Sequence, residues 1–151
     1  MGERVLHVEL RLQRLGPGWH VLHVTPLDVD HLLVGTPGIF AITIYDKRVS
    51  PFDRRRAGRP GMDHVLRIAR HEARLISRRL TRLSGEPLSA WPVVVINDGT
   101  FDVTKAAGDA YVVAQPLLIP WLKSLMSVLD PETVAAAASH AGDPGTWALG
   151  A

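Results

Sequence analysis

The sequence predicts an α+β domain in the order α-β-β-β-α-β-β-α-α. Its central mixed sheet would hold a three-strand meander plus two further strands, flanked by helices. Three observations carry this. Apolar and β-branched runs at residues 19–25, 31–34 and 39–45 follow one another through links short enough for antiparallel neighbours. Residues 63–84 repeat their apolar positions at helical spacing. Residues 92–96 (PVVVI) are apolar throughout, as expected of a strand buried on both faces.

The elements can be justified in order. Residues 3–15 carry two patterns at once. Leu6, Val8, Leu10 and Leu12 alternate with polar residues as in a strand, whereas Val5, Val8, Leu12 and Leu15 form a helical stripe. The residues alone leave both open; good helix formers favour the helix. Gly16-Pro17-Gly18 stops either element. Residues 19–25 read as the first strand, ended by Pro26, and 31–34 as the second. Thr36-Pro37-Gly38 is a tight turn, with Pro37 and Gly38 suited to its central positions. Residues 39–45 form the third strand, and 49–61 are a loop.

Asp63 is placed to cap the long helix, which Ser84-Gly85 ends. Val65, Ile68, Ala69, Leu75, Ile76 and Leu83 make its apolar face, and Arg67, Arg70, Arg74 and Arg78 the opposite one. Glu72 projects from the middle of the apolar face, with Arg79 near it. Asn97-Asp98-Gly99 turns the chain, and residues 111–114 are the last strand. Residues 116–129 read as a helix whose prolines, Pro116 and Pro120, sit near its first turn. Asp130 then caps a final helix from Pro131 to about His140. From Gly142 to residue 151 a loosely packed tail is expected, anchored by Trp147.

Bulk properties set the class. The chain has 151 residues, 46% hydrophobic and 21% charged, which suits one folded domain. Its lack of cysteine excludes disulfides, thiolate metal sites and a cysteine nucleophile. No secretory leader pattern and no apolar run near the ~20 residues of a bilayer span is visible, so a cytoplasmic protein without membrane partners is expected. The net charge is only +2, but it is unevenly spread. Residues 47–82 hold twelve basic residues against three acids, and the rest of the chain five against twelve. Such asymmetry favours an anion-attracting surface.

The stretch DVDHLLVGTPGIFAI, residues 28–42, resembles the nuclease-related domain (NERD) family, which is placed in the PD-(D/E)XK, or restriction-endonuclease-like, group. Asp30-His31-Leu32-Leu33-Val34-Gly35 and Gly38-Ile39-Phe40 match the family pattern in place. LGPGWHVLH (15–23), RHEAR (70–74) and Thr146-Trp147 extend the resemblance, notably to actinobacterial members, over nearly the whole chain. It implies a single restriction-endonuclease-like domain spanning residues 1–151, and it favours a helix at the start.

The group's chemistry requires an acid on one strand and an acid-x-lysine on the next, all on one face. The acids hold Mg²⁺ by oxygen while the lysine helps activate water. Asp30 matches the first acid and is the leading candidate metal ligand. The positions matching the second motif hold Thr43-Ile44-Tyr45, which supply neither carboxylate nor ammonium. Asp46 and Lys47 could substitute only if a bulge redirected one of them, since adjacent strand residues face opposite ways. Asp28 and Asp30 would share a face and could serve as a metal pair if both lay in the strand; an Asp-x-Asp more often caps a turn before a strand. Glu72 is read either as a site residue or as half of a buried ion pair with Arg79 or a neighbouring arginine. Glu9 is read as a site residue reaching from the first helix or as a surface charge.

The seven histidines show no close ligand spacing, so no zinc is expected, and no cofactor motif is present. The arginine face, with Arg54, Arg55, Arg56 and Arg59 from the loop, could follow a phosphate backbone. A solvated helix face explains the same pattern. Phe52 is the nearby aromatic, which gives base stacking little support.

Two expectations follow. One is a divergent, inactive relative of the metal-dependent nucleases that binds DNA or other nucleic acid with weak or no hydrolysis. The other is a non-catalytic scaffold for a protein partner or homodimer, in which Val134 and Ala135 to Ala138 offer a small-residue packing face. A lesser alternative keeps an active endonuclease with a rearranged site, and only that one needs Mg²⁺.

Overall fold

The computed structural model describes residues 12–24, 26–45, 61–96, 104–105 and 110–148, the pair 104–105 by backbone alone. Glu9, Asp46, Lys47, Phe52, Arg54, Arg55, Arg56, Arg59 and the Asn97-Asp98-Gly99 turn lie outside the described residues. So does most of the first predicted helix; its end is helical, from Leu12 through a 3-10 turn at Gln13–Leu15.

One mixed sheet organises the described residues. Its strands are β1 (His20–Leu22), β2 (His31–Gly35), β3 (Gly38–Tyr45), β4 (Ala90–Ile96), β5 (Thr104–Lys105) and β6 (Tyr111–Ala114), in the spatial order β1-β2-β3-β4-β6-β5. The first three form the expected antiparallel meander. β4 runs parallel to both β3 and β6. Parallel neighbours need a long connection, and helix α1 (Gly61–Ser84) supplies it between β3 and β4. The two-residue β5, antiparallel to β6 at the sheet edge, was not anticipated. Helices α2 (Leu118–Ser124) and α3 (Pro131–Gly142) complete the α+β arrangement. No helix among the described residues is long and apolar enough to cross a membrane.

Strand alternation divides the core into two layers. Leu32, Val34, Ile39 and Ala41 face α1 and α3, packing against Ala73, Ile76, Leu80, Val134, Ala137, Ala138 and Trp147. Leu33, Phe40, Ile42, Val93, Val95 and Val113 face the other way, against Leu12, Leu15, Leu118 and Leu122. The centre of the sheet is therefore covered on both sides. This is why β2, β4 and the first half of β3 read as continuous apolar runs rather than alternating ones.

Several boundaries differ from the sequence reading. The first strand contracts to three residues because it is an exposed edge, and Val24 leaves it to enter the core. The β2–β3 link is Thr36-Pro37, since Gly35 pairs with Gly38. Gly38 opens β3 at φ +146°, a conformation that suits glycine. α1 begins two residues before Asp63, which therefore sits in its first turn, favourable to the helix dipole, instead of capping it. Its buried stripe is Leu66, Ala69, Glu72, Ala73, Ile76 and Leu80; Leu83 is 45% exposed, beyond the sheet. Gly85 ends the helix at φ +79°, its N–H donating to the Thr81 carbonyl at 3.0 Å.

The helix expected over 116–129 stops at Ser124. The chain then turns toward the β2–β3 link, where the N–H groups of Val128 and Leu129 both donate to the Thr36 carbonyl at 2.8 Å. α3 has Pro131 at its first position, as expected, although the Asp130 side chain makes no capping bond. The tail is held firmly as far as Ala148. Trp147 is buried, its indole N–H donates to the Ala141 carbonyl at 2.8 Å, and Thr146 Oγ1 donates to the His140 carbonyl at 2.6 Å.

Trp19 lies directly over Gly35. A Cβ on Gly35 would stand 2.6, 2.7 and 2.9 Å from three atoms of the Trp19 ring. Gly35→Ala should therefore cost about 1–3 kcal/mol in urea unfolding. The penalty should shrink in a Trp19→Ala background; an equal penalty in both backgrounds would show that the ring is not its cause.

Candidate functional site

The residues matching the nuclease pattern gather at one end of the sheet, beneath α1. The β2–β3 register pairs His31 with Ile42, so Asp30 stands beside Thr43 just outside the ladder. Alternation turns Thr43 and Tyr45 to the same side as Ile39 and Ala41, the side covered by α1. Asp30 follows Leu32 and Val34 to that side. Glu72 arrives from α1 and is only 9% exposed.

The two acids are committed to the backbone. Asp30 Oδ2 accepts the Ile44 N–H at 2.6 Å, while the Asp30 N–H donates to the Ile42 carbonyl at 2.8 Å. His23 Nδ1 lies 3.0 Å from the Asp30 carbonyl oxygen. The side chain thus continues the ladder past the last paired residue, in place of a backbone carbonyl. Glu72 Oε1 accepts the Asp28 N–H at 2.7 Å. Asp28 and Asp30 both lie in the bend before β2 and not in the strand, and Asp28 is exposed. Between and beside them, Leu27 and Val29 are buried in the core. The two carboxylates therefore clip this bend to β3 on one side and to α1 on the other.

The anticipated Glu72–Arg79 ion pair does not form. Arg79 Nη1 instead donates to the Thr146 carbonyl, tying α1 to the 3-10 turn at Pro144–Trp147. A buried carboxylate needs hydrogen bonds. The Asp28 amide supplies one.

At the two positions matching acid-x-lysine, the chemistry is neutral. Thr43 Oγ1 is buried and has no hydrogen-bond partner among the described residues. The Tyr45 ring packs with Met62 and Val65 around a cluster that includes Leu66, Ala69, Val94 and Ile96. Its phenol reaches the start of α1, where a Cβ on Gly61 would collide with Oη. Gly61 thus makes room for an aromatic ring at the position that matches the lysine. Among the described residues, no three His, Asp or Glu side chains converge as a metal site would require. With Asp30 Oδ2 already engaged and Thr43 and Tyr45 as its neighbours, these residues do not fit Mg²⁺, which favours carboxylate oxygens in near-octahedral geometry.

No family model, curated protein or solved structure matches the chain.

On the opposite side of α1, Arg67, Arg74 and Arg78 are exposed, as the sequence suggested. Arg70 is half-buried and already has an interaction partner. Arg82 was missed, although it continues the stripe by one more i+4 step and is exposed. His64 and His71 share this face. The two backbone amides that engage the acids were also missed. Nothing in the residue pattern distinguishes a carboxylate facing a metal from one facing an N–H group.

Asp30 and Glu72 should therefore behave as structural clips. Glu72→Ala leaves the Asp28 N–H without its acceptor, and Asp30→Ala does the same to Ile44; each should lower stability by about 1–3 kcal/mol. Glu72→Gln keeps an acceptor oxygen and should lose much less. Urea midpoints measured with Mg²⁺ or with chelator should coincide. A midpoint raised by Mg²⁺ in the parent but not in Asp30→Ala would contradict this role.

Proposed function

We propose that this chain is a nuclease-like scaffold that binds nucleic acid without cutting it. The observation carrying the reading is the pairing at the sheet end: Asp30 stands beside Thr43, Tyr45 lies two residues on, and the Asp30 carboxylate holds the Ile44 amide. The antiparallel meander followed by a helix and a parallel strand supports a restriction-endonuclease-like arrangement. The resemblance at residues 28–42 points the same way. The reading is of a cytoplasmic protein.

Losing an acid and a lysine removes a metal ligand and a charge that would stabilise the transition state. Groups of this electrostatic kind are worth about 10²–10³ in rate each. The isolated chain should therefore leave plasmid and single-stranded DNA intact with Mg²⁺ or Mn²⁺ across pH, as judged by gel against a protein-free control. Cleavage that disappears in Asp30→Ala would overturn the proposal and revive the rearranged site, with Asp46 or Lys47 as the missing group.

A second reading, a protein-interaction module, is favoured by one feature. Met126 is 83% and Val128 71% exposed, on the segment fixed to Thr36. Of the small-residue face of α3, Val134, Ala137 and Ala138 are spent against the sheet, while Ala135 and Ala136 stay exposed.

A further inference from the structure

We propose that the outward face of α1 is a rail for the phosphate backbone of duplex nucleic acid, set apart from the sheet-end residues. This rests on the nucleic-acid-binding reading above and specifies where and how binding occurs.

The composition of the face is the first reason. Arg67, Arg74, Arg78 and Arg82 are exposed along it, together with His64 and His71; its one acid, Asp63, sits in the first turn, one turn before Arg67. An ordinary solvated helix face mixes charges of both signs at i+3 and i+4 spacing. Here neither Arg74 nor Arg78 has an acid one turn away in either direction: their neighbours at those positions are Arg70, His71, Leu75, Ser77, Thr81, Arg82 and each other. Like charges one turn apart oppose helix formation. A bound polyanion would reverse the sign of that contribution.

The residue type is the second reason. All four exposed cations are arginines, whose planar forks match phosphate oxygens in pairs. α1 contains no Phe, Tyr or Trp, so this face has no platform on which unpaired bases could stack. Recognition would then go through phosphates and carry no sequence preference.

Geometry supplies the third. From Arg67 to Arg82 the helix rises about 22 Å at 1.5 Å per residue. A duplex presents a phosphate about every 1.7 Å along its axis with both strands counted, so a face of this length runs beside enough phosphates for four arginine contacts. Glu72, which faces the bend at Asp28, is two residues before Arg74 and so about 160° away around the helix. A duplex on the arginine face is separated from Asp30 and Thr43 by the thickness of α1, about 10 Å. Binding without cleavage would thus be built into the placement of the two surfaces.

The test uses the full chain and fluorescein-labelled 20-base-pair DNA of arbitrary sequence, with the matching single strand, by anisotropy from 50 to 200 mM salt. Four arginines contribute about 3.6 units to the slope of log K against log salt, at about 0.9 per phosphate. The quadruple variant Arg67→Ala, Arg74→Ala, Arg78→Ala, Arg82→Ala should lose about that much slope and at least tenfold in affinity at low salt. Circular dichroism should show its helix intact, since alanine favours helix. Lys123→Ala, an exposed cation on α2 across the sheet, should change affinity less than twofold. Duplex should bind at least as tightly as single strand, and two unrelated duplex sequences equally. Duplex binding with an unchanged slope in the quadruple variant would overturn this face while sparing the nucleic-acid reading. Preference for single strand would overturn the backbone-only mode. Absence of binding to either probe would overturn both.

Discussion

The junction between the bend at residues 26–30 and the sheet depends on how two carboxylates are used. β2 enters the sheet from an irregular segment that has no ladder of its own, yet carries Leu27 and Val29 into the core. Buried backbone donors must be satisfied. Asp30 accepts from the strand, Glu72 accepts from the bend, and together they close the gap between β3 and α1. This end of the sheet is drawn shut by hydrogen bonds. The neutral Thr43 and the packed ring of Tyr45 suit that closed state.

α1 serves two environments at once. Its inner side holds small residues, Ala69 and Ala73, against the sheet, which lets the helix approach closely. Its outer side holds cations with no acids among them over the two central turns. A helix whose packing is secured by the core can carry an electrostatically unfavourable surface, because tertiary burial outweighs repulsion worth a few tenths of a kcal/mol per pair. Among the described residues of this charge-rich stretch, the exposed arginines lie on one side of one helix.

Much of this was legible from residue order. The meander follows from three apolar runs with short links. The parallel β4 follows from PVVVI after a long helix, the shared face of Asp30, Thr43 and Tyr45 from two-residue strand periodicity, and the inward placement of Glu72 from the helical repeat of α1. What failed did so for local reasons. The helix predicted to reach residue 129 ends at Ser124 because Thr36, far away in sequence, offers its carbonyl to Val128 and Leu129. Arg79 was assigned to Glu72 from proximity on one helix, but the Thr146 carbonyl competes for it. The tail looked loose because Gly142, Pro144 and Gly145 break regular structure, whereas the Trp147 indole and Thr146 hydroxyl fasten it through bonds that periodicity cannot reveal.

The doubly engaged carbonyl of Thr36 has a consequence for assembly of the chain. A two-residue hairpin link is normally among the earliest contacts to form, since its partners are adjacent. Here its outer carbonyl waits for a segment that emerges much later, and Thr36 Oγ1 meets Ser127 Oγ across 91 residues. Long-range closure of this kind raises contact order and slows folding. In the native structure the local hairpin link is thus completed by the region following α2.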